Sequence, residues 1–203
     1  QEHEFTLYWQ PRFVQSDPGF DRVLLRSSAS APLELISVQR GSDVALRLGT
    51  AAAIWPSELE LIQPEPSALE LVFPSIVREG DAIYAIRFRT RIFLNSTIFS
   101  LNLVNSSRPG IEQIASEGDV GTASPSQSLV VVADLRKAAL LTDEKITPRV
   151  FTPNGDGIND ETALSFSVFQ IDGPGEFAAG VYDLAGRRIR DLSFALQWAS
   201  GEH

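Results

Sequence analysis

Short runs in which apolar and polar residues alternate recur along most of the chain, separated by Pro, Gly, Ser and Asn. A period of two puts successive side chains on opposite faces of a β-strand. Phe5-Thr6-Leu7-Tyr8-Trp9 is the first such run, and Gln10-Pro11 stops it. Arg22–Arg26, Leu33–Val38, Val44–Leu48, Glu58–Ile62 and Leu69–Phe73 follow, then a long run from Ala82 to Phe93 and another from Thr97 to Val104. Turn signals lie between them, at 40–43, 64–66, 79–81 and 108–110. Many short strands with frequent turns predict an all-β fold, an antiparallel Ig/cohesin-like sandwich over residues 14–133. Its expected core contains Leu35, Leu46, Leu59, Leu61, Leu71, Ile86, Phe88, Phe99, Leu101 and Val131. Residues 1–13 are set apart as an extended N-terminal segment by Pro11 and Pro18.

Two stretches carry more detail. In the run from Ile83 to Ile92, Tyr84, Ile86, Phe88, Thr90 and Ile92 share one face and read as core. Arg87, Arg89 and Arg91 share the other, where glutamates of neighbouring strands such as Glu58, Glu60 or Glu70 are the expected partners. Leu129–Val132 is nearly continuous in apolar character, which predicts a strand buried on both faces. Asp134–Glu144 fits either a helix or a linker followed by a strand, and residues 134–149 are taken as the linker to a second domain, 150–203.

Composition then narrows the chemistry. Of 203 residues, 43% are hydrophobic and 21% charged, the balance of a globular chain. Seventeen basic against 26 acidic residues give a net charge of −9, which argues against nucleic acid as a partner. Without Cys, thiolate metal sites and cysteine nucleophiles are excluded. The two histidines, His3 and His203, sit at opposite ends, which disfavours a Ser-His-Asp triad. No nucleophile–base pair can be nominated, so a non-enzymatic role is expected. No apolar run reaches the roughly 18 residues of a membrane-spanning helix. A start at Gln1, with no Met or Cys anywhere, fits an exported bacterial protein.

The most informative stretch is Val150-Phe-Thr-Pro-Asn-Gly-Asp-Gly-Ile-Asn-Asp160, followed after about twenty residues by Val181-Tyr-Asp-Leu-Ala-Gly-Arg-Arg-Ile189. Oxygens of Asn154, Asp156, the Ile158 carbonyl and Asp160 alternate with glycines, a spacing that can wrap Ca²⁺. The same Asn-Gly and Asp-Gly pairs also make consecutive tight turns without any ion. Asp183 and Gly186 mark a β-hairpin turn. Together these motifs resemble the C-terminal Ig-like domain of exported bacterial proteins, including the FlgD-like hook-assembly domain and the gliding-motility-associated domain of type IX secretion substrates. The resemblance covers about 149–203 and implies an Ig-like sandwich at the cell surface or outside the cell. The Trp-Asp-Gly segment and closing strands of that pattern do not follow Gly201-Glu202-His203, so a partial sandwich is expected.

The expected function is therefore a non-catalytic surface or extracellular structural protein, joined to other protein subunits in an appendage, filament or larger complex by β-strand contacts. In that scheme Phe5, Leu7 and Trp9, which share one face, plug the open groove of another subunit. The alternative is an adhesin-like module binding protein or carbohydrate, with Trp55 the loop aromatic best placed to stack on a sugar; Trp9 and Trp198 are the other tryptophans. Asn95-Ser-Thr and Asn105-Ser-Ser match the glycosylation pattern but read more simply as turns.

Overall fold

A computed structural model describes residues 2–78, 80–135, 139–171, 175–183, 185–196 and 200–202, with only the backbone of 193–196 and of Glu202. The chain divides into two units: Gln1–Ile92 with Ser96–Val132, and Phe93–Asn95 with Ala133–His203.

The first unit contains β1 (Glu2–Trp9), β2 (Phe20–Ser27), β3 (Glu34–Gly41), α1 (Asp43–Leu48), β4 (Ala52–Ala53), β5 (Glu60–Ile62), β6 (Ala68–Val77), β7 (Ile83–Arg91), β8 (Ser96–Val104), β9 (Glu112–Ile114) and β10 (Val130–Val132). One sheet has the order β1-β7-β3-β4. The other runs β10-β8-β2-β6-β5, with β9 also on β8, and every pairing is antiparallel. The inner faces meet in one core that includes Val23, Leu25, Leu35, Val38, Leu69, Leu71, Ile86, Phe88, Phe99 and Leu101. Along β7 the expected inward face holds, with Tyr84, Ile86, Phe88 and Thr90 all buried and Arg87 exposed, but Ile83 and Ala85, which alternation places on the arginine face, are buried too. An aromatic group closes one part of this core: Trp9 stacks on Tyr84 at 4.5 Å, and Phe20 meets Trp9 and Phe73 edge-on at 5.3 and 5.4 Å.

Four expectations need correction. Residues 1–13 are not a segment apart. β1 pairs along its whole length with β7, from Glu2 opposite Arg91 to Trp9 opposite Tyr84. Val44–Leu48 is helical rather than extended. Ser42 caps it by accepting a hydrogen bond from the Ala45 N–H at 3.2 Å, and Gly49, at φ 70°, closes it through the Ala45 and Leu46 carbonyls. Leu46 is thus half-buried on a helix with no buried residue, outside the core. β10 is not covered on both faces. It is the edge of its sheet, so Val131 turns inward while Val132 is 80% exposed. Finally, 134–149 is not all linker, because Leu141–Thr147 is a strand of the second unit. The helical reading of 134–144 gives way to strand from Leu141 on; residues 136–138 lie outside the described residues.

In the second unit β11 (Leu141–Thr147), β12 (Ala163–Val168) and β15 (Gly201–Glu202) form a three-stranded antiparallel sheet, and β13 (Gly175–Tyr182) and β14 (Arg188–Leu196) a hairpin. Phe166 and Val168 make a small core joined by Phe177, whose ring stacks on Phe166 at 4.6 Å. Phe93 belongs here too: its ring lies 4.9 Å from Phe169, and its carbonyl accepts from the Gln170 N–H. Each unit is built of antiparallel strands, the all-β class read from the alternation.

Candidate functional site

The first unit holds a cavity of about 620 Å³ on the open side of its sandwich. Every residue from Phe5 to Arg12 lines it, both the core-facing and the outward-facing ones. Side chains of one strand face alternate, so an unbroken lining means that the strand's edge borders the space. β1 is the end strand of its sheet, and its outer backbone groups take no partner from the sheet.

The opposite wall is also an edge. The Ala115 N–H donates to the Leu101 carbonyl at 2.8 Å, and the Phe99 N–H to the Leu129 carbonyl at 2.9 Å. Residues 112–115 and 129–132 therefore run along β8 as one edge strand, interrupted by the loop 116–128. Phe88, Phe99, Leu101 and Leu103 form an apolar floor between the walls.

The loop is tied down by carboxylates. Glu117 accepts from the Leu129 N–H at 2.7 Å and from the Ser128 hydroxyl at 3.2 Å, and Asp119 accepts from the Gly121 N–H at 2.8 Å. Farther out, Asp43 at the start of α1 accepts from the Thr122 hydroxyl at 2.6 Å and the Ala123 N–H at 2.7 Å. The Thr122 bond first, then the Ala123 bond, hold the Asp43 carboxyl below its ordinary pKa. Gly121 has φ +132°, and a Cβ there would fall 2.5 Å from an Asp43 oxygen, so the close approach requires glycine. Nothing in the sequence reading gave 116–128 a role. Its Gly, Ser and Pro content marks a loop, but which edge it interrupts depends on strand order.

The assembly residues fall at this site in a way the sequence did not anticipate. Leu7 and Trp9 are buried in the chain's own core, and Phe5 packs against it 5.9 Å from Phe88 and 5.7 Å from Phe99. They fill their own sandwich, so offering them to another subunit would first require stripping β1 from β7.

The arginine row is paired, though not with the expected glutamates. Arg87 and Arg89 hold Glu4 at 2.5 and 2.9 Å, and Arg89 also reaches Glu34 at 3.4 Å. The Arg89 bond first, then Arg87, keep the Glu4 carboxyl below its usual range. β7 lies between β1 and β3, so its partners come from those strands, while Glu70 pairs with Arg22 and Glu58 with Arg40. Trp55 is half-buried and packs against the core, which leaves less of its ring for a sugar. Trp198 lies outside the described residues.

In the second unit the 150–160 loop forms a closed set of turns. Asp160 accepts from the N–H groups of Asn154, Gly155 and Gly157 at 2.9, 2.7 and 2.7 Å, using both oxygens. Asp156 accepts from the Ile158 N–H and the Asn154 amide, at 2.8 and 2.9 Å. The Gly155 bond, then the Gly157 bond, lower the Asp160 pKa; Asn154 does most to lower that of Asp156. Gly155 and Gly157 both have positive φ, as the turns need. Among the described residues no group of three or more Asp, Glu or His is gathered closely enough to hold a metal. The hairpin joining β13 and β14 turns as expected, with Asp183 accepting from the Ala185 and Arg187 N–H groups. Leu184 of that turn lies outside the described residues. Asn105 is buried, and its amide donates to the Pro18 and Gly19 carbonyls, which gives that glycosylation-like triplet a structural role.

No family model and no curated protein matches the sequence. Among solved structures, the chain is similar to the keratin 4 binding domain of the surface adhesin Srr-1 of S. agalactiae, at 8% identity and a TM-score of 0.38, over 62% of this chain and 94% of that one.

Proposed function

We propose that this chain is a non-catalytic module of an exported bacterial protein that acts at the cell surface or beyond it by binding other proteins. The observation that carries this reading is the cavity bordered by two strand edges over an apolar floor. Backbone edges and apolar side chains are the means by which β-sandwiches hold other polypeptides. The carboxylates lining it, Glu117 and Asp119, use their oxygens to fix the loop, which fits a contact surface. The 150–160 and 181–189 motifs, through the family they resemble, support placement outside the cytoplasm. Self-assembly by donation of β1 is not part of the proposal, because that strand is occupied by β7.

The test is antibody labelling of the native organism before and after permeabilisation. Label on intact cells or in the medium is expected. Label that appears only after permeabilisation would overturn the reading.

A further inference from the structure

We infer that the cavity between β1 and the 112–132 edge receives one extended segment of a different polypeptide, which adds to β1 as a strand. The inference rests on the reading of the chain as a protein-binding module and names the form of its partner.

The walls and floor select among ligand classes. A lipid chain would suit Phe88, Phe99, Leu101 and Leu103 but leave the outer N–H and C=O groups of β1 unmatched. A sugar would suit the backbone groups but leave the floor uncovered. An extended peptide meets both demands: its main chain pairs with β1, and every second side chain drops onto the floor. Charge places the partner rather than selecting it: Arg12 is exposed at the end of the β1 wall, where it suits an acidic residue, while Glu117 and Asp119 on the facing loop disfavour one there. A second copy can pair the outer edge of its own β1 here, but its Leu7 and Trp9 stay buried in its own core, so the floor would remain uncovered. The occupant accordingly comes from another protein.

The probe is a displayed library of eight-residue peptides, the length of β1, with apolar residues at every second position. A control library has the same composition with the apolar residues in one block. The alternating library should enrich at least about tenfold over the control, the discrimination expected from roughly one well-placed contact. A synthesised winner should slow amide exchange within β1. N-methylation of its alternate amides, on the edge that faces β1, should weaken binding by about tenfold or more, since each methyl removes a donor. Leu103→Arg, which puts a charge on the floor, should do the same. Leu103→Arg risks the fold, so the N-methylated peptide asks the question of the unaltered protein.

Equal enrichment of both libraries, binding that leaves β1 exchange unchanged, or indifference to N-methylation would overturn the inference. So would protection of β1 by raised protein concentration alone, which would make a second copy the occupant. These outcomes are separable from the broader reading. Surface labelling without peptide binding removes the strand partner and keeps the surface module; peptide binding with intracellular labelling does the reverse.

Discussion

Replacing Trp9 by Ala, and separately by Phe, tests whether β1 belongs to the sandwich or is an arm lying on it. Trp9 is 6% exposed, stacked on Tyr84 and edge-on to Phe20. A buried Trp removes roughly 150–250 Å² from water. At about 25 cal/mol/Å² that is about 4–6 kcal/mol, and a compact unfolded chain reduces it by some 10–40%. Trp9→Ala should therefore cost about 3–5 kcal/mol, in line with other large-to-small core changes. Trp9→Phe should cost far less. It keeps most of the ring contact and removes the indole Nε1–H, which is buried and has no hydrogen-bond partner among the described residues. Shedding an unmatched donor returns about 1–3 kcal/mol in either variant; in Trp9→Phe that offsets most of the lost area, whereas in Trp9→Ala the cost of the cavity left behind cancels it.

A chain of two units need not unfold in one step, so the assay is amide exchange read strand by strand across a urea series. With a slope near 2 kcal/mol per molar urea, Trp9→Ala should bring the opening of β7 forward by about 1.5–2.5 M. Trp9→Phe should shift it by less than about 0.5 M. The β13–β14 hairpin, in the other unit, serves as the internal reference. A Trp9→Ala shift as small as that of Trp9→Phe would refute the reasoning and return β1 to the status of a detachable arm.

Gly19 sits at φ +76° beside the irregular β2–β6 pairing, and a Cβ there would lie 2.2 Å from the Val77 carbonyl. Gly19→Ala should cost more than about 1 kcal/mol in the same urea series, while Gly118→Ala, with open space around it, should be nearly silent. The 150–160 loop should loosen in acid. A carboxyl whose folded pKa is depressed adds stability above its unfolded pKa, near 4, and loses it as pH falls through the folded value. Exchange of the Asn154, Gly155 and Gly157 amides, corrected for intrinsic rates, should quicken below that range and be already fast in Asp160→Ala. The same loop allows a direct comparison of its two readings. Because Asp160 serves three N–H donors, excess Ca²⁺ or EDTA should leave the melting temperature unchanged, and a rise with Ca²⁺ would assign the loop to the ion.

What the sequence disclosed depended on how far apart the interacting residues lie. The inward face of β7 follows from local alternation, and Tyr84, Ile86 and Phe88 are buried as read. The common face of Phe5, Leu7 and Trp9 was equally plain. Alternation gives a strand its faces, however, and never its neighbour, so the same pattern fits donation to another chain and pairing with β7 across some eighty residues. Val44, Leu46 and Leu48 alternate too, yet the flanking Ser42 and Gly49 caps prevailed. The hydrophobic run at 129–132 correctly marked a strand, but only sheet order makes it an edge. The cavity was illegible for the same reason: its walls are joined by non-local pairing, and no residue within it has unusual chemistry.

The interrupted edge strand has a consequence for how this sandwich can change. Ala115 and Leu129 lie against Leu101 and Phe99, only two places apart along β8, although thirteen residues, 116–128, intervene. The register of the sheet is thus indifferent to the length of what lies between them. Doubling that length costs only about 0.6 kcal/mol in closure entropy, less than one mismatched core methylene. The position is a natural port for grafted sequence, where a foreign epitope or a small folded domain can be spliced in while both sheets keep their pairing.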